Sequence, residues 1–283
     1  MKGRLRVRLA SRNGFKCLRI SNRFFVNIGS FALFVAASTR CFPDVTINKS
    51  LQKLADLEFN HAEIVIGYGV NDLRPDWLGK QDTWQTASRL CLSCRSIRPV
   101  AFYFDVPPTD SDFLQKFEWC MRFSKHLGVA TVVVKAAPVG SPYNEEFERL
   151  SKLVNLGMRY GVVVSLLTER DTVAGSIDSL SSFCNGIELL RVALDPSHFI
   201  YGYDSPVDYE AIIPKVAHVR LRDTTAKKFQ VQIGQGVLEY NKLVGQLNKC
   251  GYDRAMCVDL TPLPNLDAES ELRKMHLLVE SLL

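Results

Sequence analysis

The feature that most constrains this chain is a regular alternation of short apolar runs with longer amphipathic segments, which continues from residue 33 to the C-terminus. The apolar runs are rich in β-branched and aromatic side chains, as in residues 62–66 and 131–135. Each run is followed by a segment with apolar residues at helical spacing, such as Phe113 and Phe117 in residues 110–127. Strands without a polar face are typical of a parallel sheet that helices cover on both sides.

Eight strand-plus-helix units are predicted in this way. The predicted strands are residues 33–37, 62–66, 100–105, 131–135, 162–167, 190–195, 216–220 and 255–260. The predicted helices are residues 46–57, 82–97, 110–127, 144–160, 172–184, 207–213, 238–250 and 268–282. Eight units match a closed (β/α)8 TIM barrel, whose usual length is about 250 residues. The alternative, an open doubly wound sheet, would ideally carry a glycine-rich loop after its first strand, where this chain has no glycine between Ser38 and Pro43.

The basic character of the chain belongs to its N-terminal segment. Residues 1–30 hold eight Lys and Arg and no acid, although the whole chain carries 35 basic and 30 acidic side chains. We therefore divide the sequence into a basic extension, residues 1–30, and a single barrel domain, residues 31–283. The extension is interpreted as a disordered leader or the product of an upstream start codon, as a secretory signal, or as an arm for nucleic acid or membrane. The barrel itself is mildly acidic, which argues against a nucleic-acid partner.

Composition excludes several other classes of protein. An apolar content of 47% excludes a wholly disordered chain, and no run of about 18 uncharged apolar residues predicts a membrane span. The eight cysteines fall mostly on apolar helix and strand positions, as buried reduced thiols do. We therefore expect a cytoplasmic protein without a membrane partner, and a homo-oligomer is compatible with the sequence.

Charged side chains follow most of the predicted strands. In a (β/α)8 barrel these strand ends form the mouth where active sites lie. The residues at or near the ends are Arg40, Asp105, Lys135, Glu169, Arg170, Asp195, His198, His218, Arg220, Arg222, Asp223 and Asp259. Asp195, Arg220 and Asp259 lie at or inside strand ends, where an unpaired charge is costly, so each needs a partner or a ligand.

Four segments carry a resemblance to a known family: ASTRCFPD, LDPSHFIYG, HVRLRDT and VQIGQGVLEYNKLVGQLNKCGYDRAMCVDL. In their order and spacing they resemble the sugar phosphate isomerase/epimerase group of the xylose isomerase-like TIM barrels, over residues 33–283. The resemblance implies a divalent metal (manganese, magnesium, cobalt or zinc) held by Glu, Asp, His and Glu on strands five to eight. It also implies that the two Glu residues move a proton from carbon while the metal stabilises the enediolate.

This chain keeps the family's metal ligands only in part. Asp195 matches the Asp of strand six, and Asp259 stands at the Glu position of strand eight. Leu167 occupies the Glu position of strand five, and Arg220 occupies the His position of strand seven. Because leucine cannot ligate a metal and arginine repels one, the resemblance implies a degenerate metal site. We expect the Arg220 guanidinium to take the place of the cation, with Asp195 and Asp259 as its partners.

Two functions are predicted for this mouth. The first is an isomerase or epimerase of a small sugar or sugar phosphate that acts by proton transfer. The predicted catalytic residues are Asp259, Glu169, His198 and Arg220. The predicted substrate-binding residues are Arg40, Lys135, Arg222 and His218. The candidate metal ligands are Asp195 and Asp259. The alternative is a metal-free barrel that binds an anionic, carbohydrate-like ligand or a partner without turnover. An apurinic-site endonuclease on the same fold would need more histidines at the mouth, and no nucleotide cofactor is expected.

Overall fold

Eight parallel strands close into a barrel in chain order, with β8 paired back to β1. The computed structural model describes residues 33–283, and the predicted extension, residues 1–30, lies outside the described residues. The strands are Phe34–Ser38 (β1), His61–Gly67 (β2), Arg98–Asp105 (β3), Thr131–Val134 (β4), Val163–Leu167 (β5), Arg191–Leu194 (β6), Val216–Leu221 (β7) and Ala255–Val258 (β8). The predicted (β/α)8 barrel is therefore confirmed.

Helices cover the outside of the barrel between successive strands. They are Ile47–Asp56 (α1), Gln81–Cys91 (α2), Phe113–Leu127 (α3), Tyr143–Tyr160 (α4), Ile177–Gly186 (α5), Tyr240–Lys249 (α6) and Ala268–Glu280 (α7). No helix of the described residues is long and apolar enough to cross a membrane.

Three helix predictions were wrong in their extent or type. The predicted helix at residues 82–97 ends at Cys91. The predicted helix at residues 207–213 is a 3-10 helix, Glu210–Lys215, because Pro214 within it has no N–H to donate to an α-helical ladder. The predicted helix at residues 172–184 begins only at Ile177. Ser176 caps it by accepting from the backbone N–H of Ser179, and the Ser179 side chain caps in return.

Side chains fill the interior of the barrel. A central apolar cluster contains one inward residue from each of five strands: Val65, Tyr103, Val133, Leu167 and Ala193. A smaller buried cluster joins β1 to β8 and contains Ala36, Ala255 and Cys257. Because the centre is packed, a ligand can reach the polar residues only from the mouth at the C-terminal ends of the strands.

Candidate functional site

Buried charges line one side of the barrel and its mouth. Side chains alternate along a strand, so His218 and Arg220 of β7 point to the same face as Arg222 just beyond it. All three are at most 3% exposed. Carboxylates approach them from three other places in the fold. They are Glu63 on β2, Asp195 after β6 and Asp259 after β8, and each is at most 1% exposed.

Arg220 pairs with a carboxylate that the sequence analysis missed. Its Nη2 lies 2.8 Å from Glu63 Oε1 and its Nε 3.2 Å from Glu63 Oε2, a two-point ion pair inside the barrel. His218 Nε2 lies 2.9 Å from Glu63 Oε2. The predicted pairing with Asp259 is only a long contact, at 3.8 Å from Nη1 to Oδ2. The expected pairing was therefore wrong in its main partner, because Glu63 faces Arg220 across the barrel.

Arg222 is the residue that joins the two predicted metal ligands. Its Nη2 lies 2.9 Å from Asp195 Oδ2 and 2.7 Å from Asp259 Oδ2. Arg40, from the loop after β1, also pairs with Asp259, with its Nε 3.0 Å from Oδ1 and its Nη2 in contact with Oδ2. Two guanidinium groups thus contact Asp259 directly, and that of Arg220 lies at longer range.

These ion pairs keep the buried carboxylates ionised. Burial alone would raise the pKa of Glu63, but Arg220 and His218 lower it to about 2. Burial likewise opposes ionisation of Asp259, yet Arg40, Arg222 and Arg220 hold its pKa well below the usual range. The pKa of Asp195 is lowered too, because Arg222, His198 and Ser197 outweigh its burial. Carboxylates in this state are poor proton acceptors near neutral pH.

Two further polar groups lie at the mouth outside these ion pairs. His198 Nδ1 accepts a hydrogen bond from the backbone N–H of Arg170 at 3.3 Å, and its Nε2 lies 3.9 Å from Asp195 Oδ2. Burial lowers the pKa of His198 despite Asp195, so the ring is neutral near pH 7. Glu169 is half-buried, and its Oε2 has no hydrogen-bond partner among residues 33–283. The Glu169 charge favours the protonated forms of both Lys135 and His198.

The predicted substrate-binding residues separate into two groups. Arg40 and Lys135 reach solvent at the mouth, with side chains 22% and 32% exposed, and Lys135 Nζ lies 3.2 Å from Asp105 Oδ1. His218 does not reach the mouth, because it precedes Arg220 by two residues on β7 and lies one step deeper in the barrel. Its predicted contact with substrate is therefore not supported by its position.

The loop after β7 closes one side of the mouth. The backbone N–H groups of Gly234 and Gly236 donate to Asp223 Oδ2 at 2.8 and 2.9 Å. A Cβ on Gly236 would lie only 1.8 Å from Asp223 Oδ1, so this position requires glycine. The same loop places the ring of Phe229 4.6 Å from both the Arg222 guanidinium and the His198 ring. The Gly-x-Gly segment therefore fixes the loop against Asp223.

A family model for the xylose isomerase-like TIM barrel matches residues 51–276. The chain belongs to the xylose isomerase-like TIM barrel family. Among curated proteins, no relative matches the sequence.

Solved structures agree with the family in fold. A xylose isomerase domain protein from Planctomyces limnophilus is 16% identical with a TM-score of 0.66, over 89% of this chain and 96% of that one. A xylose isomerase-like TIM barrel protein from Mycobacterium smegmatis, in complex with magnesium, is 14% identical with a TM-score of 0.70, over 88% and 97%. The 3-keto-D-glucoside 4-epimerase of E. coli is 14% identical with a TM-score of 0.66, over 89% and 100%. At these identities the likeness shows the fold alone.

The residues of this family member do not fit a divalent metal at the expected position. Leu167 lies in the apolar cluster of the barrel, and the Arg222 guanidinium already lies between Asp195 and Asp259. A deeper group, Glu63, His218 and Cys257, has donor atoms within 4.8 Å of one another. It does not fit either, because Arg220 engages both Glu63 oxygens. Burial also raises the pKa of the Cys257 thiol well above its usual range.

We predict that divalent metals leave the unfolding temperature of the wild-type protein unchanged. A metal that binds only the folded state raises this temperature in proportion to the logarithm of its concentration over its Kd. Arg220→His should create a measurable rise with manganese or zinc, because it removes the charge that engages both Glu63 oxygens and adds an imidazole beside Glu63 and His218. Thermal-shift titrations with manganese, magnesium, cobalt and zinc measure both effects. A rise in the wild-type protein would contradict the assignment of the guanidinium groups to the place of the metal.

Proposed function

We propose that this protein is a metal-independent isomerase or epimerase of a small sugar-type substrate, which acts by proton transfer at the mouth of the barrel. The observation that carries the proposal is the Arg222 guanidinium between Asp195 and Asp259, at 2.9 and 2.7 Å. A fixed positive charge thus lies between the two carboxylates that the family resemblance assigns to a cation. The family membership and the epimerase among the structures of similar fold support the reaction class.

Glu169 and His198 are proposed as the proton-carrying pair. Glu169 Oε2 is free of hydrogen bonds among the described residues, and neutral His198 can accept or donate at its ring. The reaction begins when one of them removes the proton from the carbon next to a substrate carbonyl, whose electrons then move to oxygen as an enolate. For isomerisation, the group that removed the proton returns it to the neighbouring carbon. For epimerisation, the second group takes up a proton from water and gives it to the opposite face of the same carbon, and the first group releases its proton to water. Isomerisation or epimerisation follows without any net redox change.

The remaining charges are proposed to act on the enolate oxygen. Arg40 and Lys135 are the cations of the cluster with substantial exposure at the mouth, so they can contact an oxygen that becomes negative. Asp259, expected from the sequence as a catalytic residue, is assigned a positioning role instead. Its low pKa makes it a poor base, and its oxygens orient Arg40 and Arg222.

A second candidate function is binding of a carbohydrate-like ligand without turnover. One observation favours it: Glu63, Asp195 and Asp259 are each neutralised by guanidinium groups, so the usual carboxylate bases of the barrel are occupied. In that case Glu169 and His198 would bind hydroxyl groups rather than transfer protons. The two functions are separated by a test for carbon–proton exchange.

The test measures solvent deuterium incorporation into a panel of aldoses, ketoses, keto-sugars and their phosphates by NMR, with a chelator present. We expect exchange at a carbon next to a carbonyl in the wild-type protein, and a loss of about 100-fold in Glu169→Gln and His198→Gln. Glu145→Gln, in the first turn of α4 and exposed, serves as the matched control. Exchange that stops on chelation would contradict metal independence. Binding without any exchange would favour the second candidate.

A further inference from the structure

A polar groove lies on the outer wall of the barrel between α2 and α3. Its volume is about 830 Å³, within the range of sites that hold a ligand. The residues that line this α2–α3 groove are Gly79, Gln81, Trp84, Gln85, Ser88, Arg89, Arg122 and His126. None of them belongs to the mouth, so the groove is independent of the proposed function.

Trp84 forms a fixed wall of the groove. Its ring packs edge-on against Phe123, with 4.9 Å between the ring centres, and Phe123 is fully buried. The Arg122 guanidinium lies 4.8 Å from the centre of the Trp84 ring, and the His126 ring lies 5.6 Å from it. Stacking on an aromatic ring holds a guanidinium in one orientation and leaves its N–H groups free to bind an anion. Trp84 therefore orients Arg122 beside the groove.

The cations of the groove have no carboxylate to neutralise them. Arg122 donates to the backbone carbonyl of Leu78 at 3.3 Å, and Arg89 donates to the Thr86 hydroxyl at 3.5 Å. No acidic residue lines the groove, and neither arginine pairs with a carboxylate of residues 33–283. The groove therefore presents unbalanced positive charge, which attracts an anionic partner.

The spacing of the polar side chains fits an extended peptide. Arg122 and His126 lie one turn apart on α3, about 6 Å along its axis, which matches the distance between alternate residues of an extended chain. Gln81 and Gln85 repeat this spacing on α2, and each amide offers both a donor and an acceptor. The N–H and C=O groups of a peptide backbone pair with both. A phosphate group accepts only, and would leave the amide oxygens without a partner.

We propose that the α2–α3 groove binds an acidic segment of a partner protein, in which carboxylates stand at alternate positions. One carboxylate pairs with the Arg122 guanidinium, and the next accepts from the His126 ring. Gln81 and Gln85 bind the backbone of the segment, and Arg89 adds to the positive charge. The partner is recognised at the outer wall, so its binding does not depend on the reaction at the mouth.

The test follows the indole N–H resonance of Trp84 by NMR on the isotope-labelled full chain, with Trp84→Phe to assign it. The probe is the peptide acetyl-Gly-Glu-Ala-Glu-Gly-amide, and its neutral counterpart carries Gln in place of both Glu. We expect the acidic peptide to bind about 10-fold more tightly than the neutral one and to shift this resonance. Arg122→Gln should remove most of that difference. Arg273→Gln, exposed on α7, is the matched control and should leave it unchanged.

Arg122 is exposed, so Arg122→Gln should keep the unfolding temperature of the wild-type protein, which separates lost binding from misfolding. Equal binding of the two peptides, or no shift with either at millimolar concentration, would overturn the proposal. Inorganic phosphate that binds as tightly as the acidic peptide would instead indicate a general anion site. A wild-type dimer that Arg122→Gln dissociates in analytical ultracentrifugation would assign the groove to a second copy of this chain, and would also overturn the proposal.

Discussion

Glu63→Leu should lower the free energy of unfolding by about 3–5 kcal/mol, the cost of breaking a buried ion pair from one side. The variant leaves the Arg220 guanidinium, 1% exposed, without its two-point partner, and it removes the carboxylate that lies beside His218 Nε2. Arginine cannot release its proton to escape the cost. For a domain of this size the unfolding temperature should fall by roughly 10 °C. Urea unfolding followed by circular dichroism measures the change.

The double variant Glu63→Leu/Arg220→Met is the decisive comparison. Replacing both charges with apolar side chains removes the desolvation cost of each, so most of the lost stability should return. Glu269→Gln, which breaks an exposed pair with Lys53, should change stability by less than about 1 kcal/mol. A double variant less stable than Glu63→Leu alone would show that the ion pair is not the source of the effect.

Acid should destabilise the wild-type protein strongly between about pH 5 and pH 2. Glu63 has its pKa lowered to about 2 in the folded protein, and the pKa values of Asp195 and Asp259 are lowered as well. A carboxylate whose pKa is lower in the folded than in the unfolded state stabilises the fold at pH values above its unfolded pKa. That contribution is lost as the pH falls towards the folded pKa. We expect the unfolding temperature to fall by on the order of 10 °C over this range.

Asp259→Asn tests the origin of this dependence. The variant should be several kcal/mol less stable than wild type at pH 7, because Arg40 and Arg222 lose their partner. The difference in stability between the two proteins should shrink as the pH falls below about 4. At such pH values Asp259 of the wild-type protein is protonated in the unfolded chain but not in the folded one, which favours unfolding. Scanning calorimetry at several pH values measures it. A gap that stays constant with pH would contradict the role of Asp259 ionisation, and Glu269→Gln provides a surface control.

The barrel could be predicted from the sequence because its signals are local. Apolar β-branched runs such as residues 131–135 and amphipathic segments such as residues 110–127 are set by neighbouring residues, and eight repeats of them leave few topologies. The errors fell where local signals compete. Pro214 converts a predicted helix into a 3-10 helix, and Ser176 delays the start of another.

The mouth could be predicted only in outline. The predicted strand ends indicated that Arg40, Lys135, Asp195, Arg222 and Asp259 lie at one edge of the barrel, because parallel strands bring their C-terminal ends together. Glu63 was missed although it is the only charged residue within the apolar run at residues 62–66, a signal that an inward partner was needed.

The order of apolar and polar residues along the chain determined the closed ring of strands and which residues meet at its mouth. Which charges pair was decided by the tertiary structure. Arg220 and Glu63 are 157 positions apart in the sequence. Arg222, rather than Arg220, bridges Asp195 and Asp259 because of its position along the barrel axis. Strand periodicity specifies the face on which a side chain lies. The partner it reaches is set by the stagger and closure of all eight strands, because these fix distances between residues far apart in sequence.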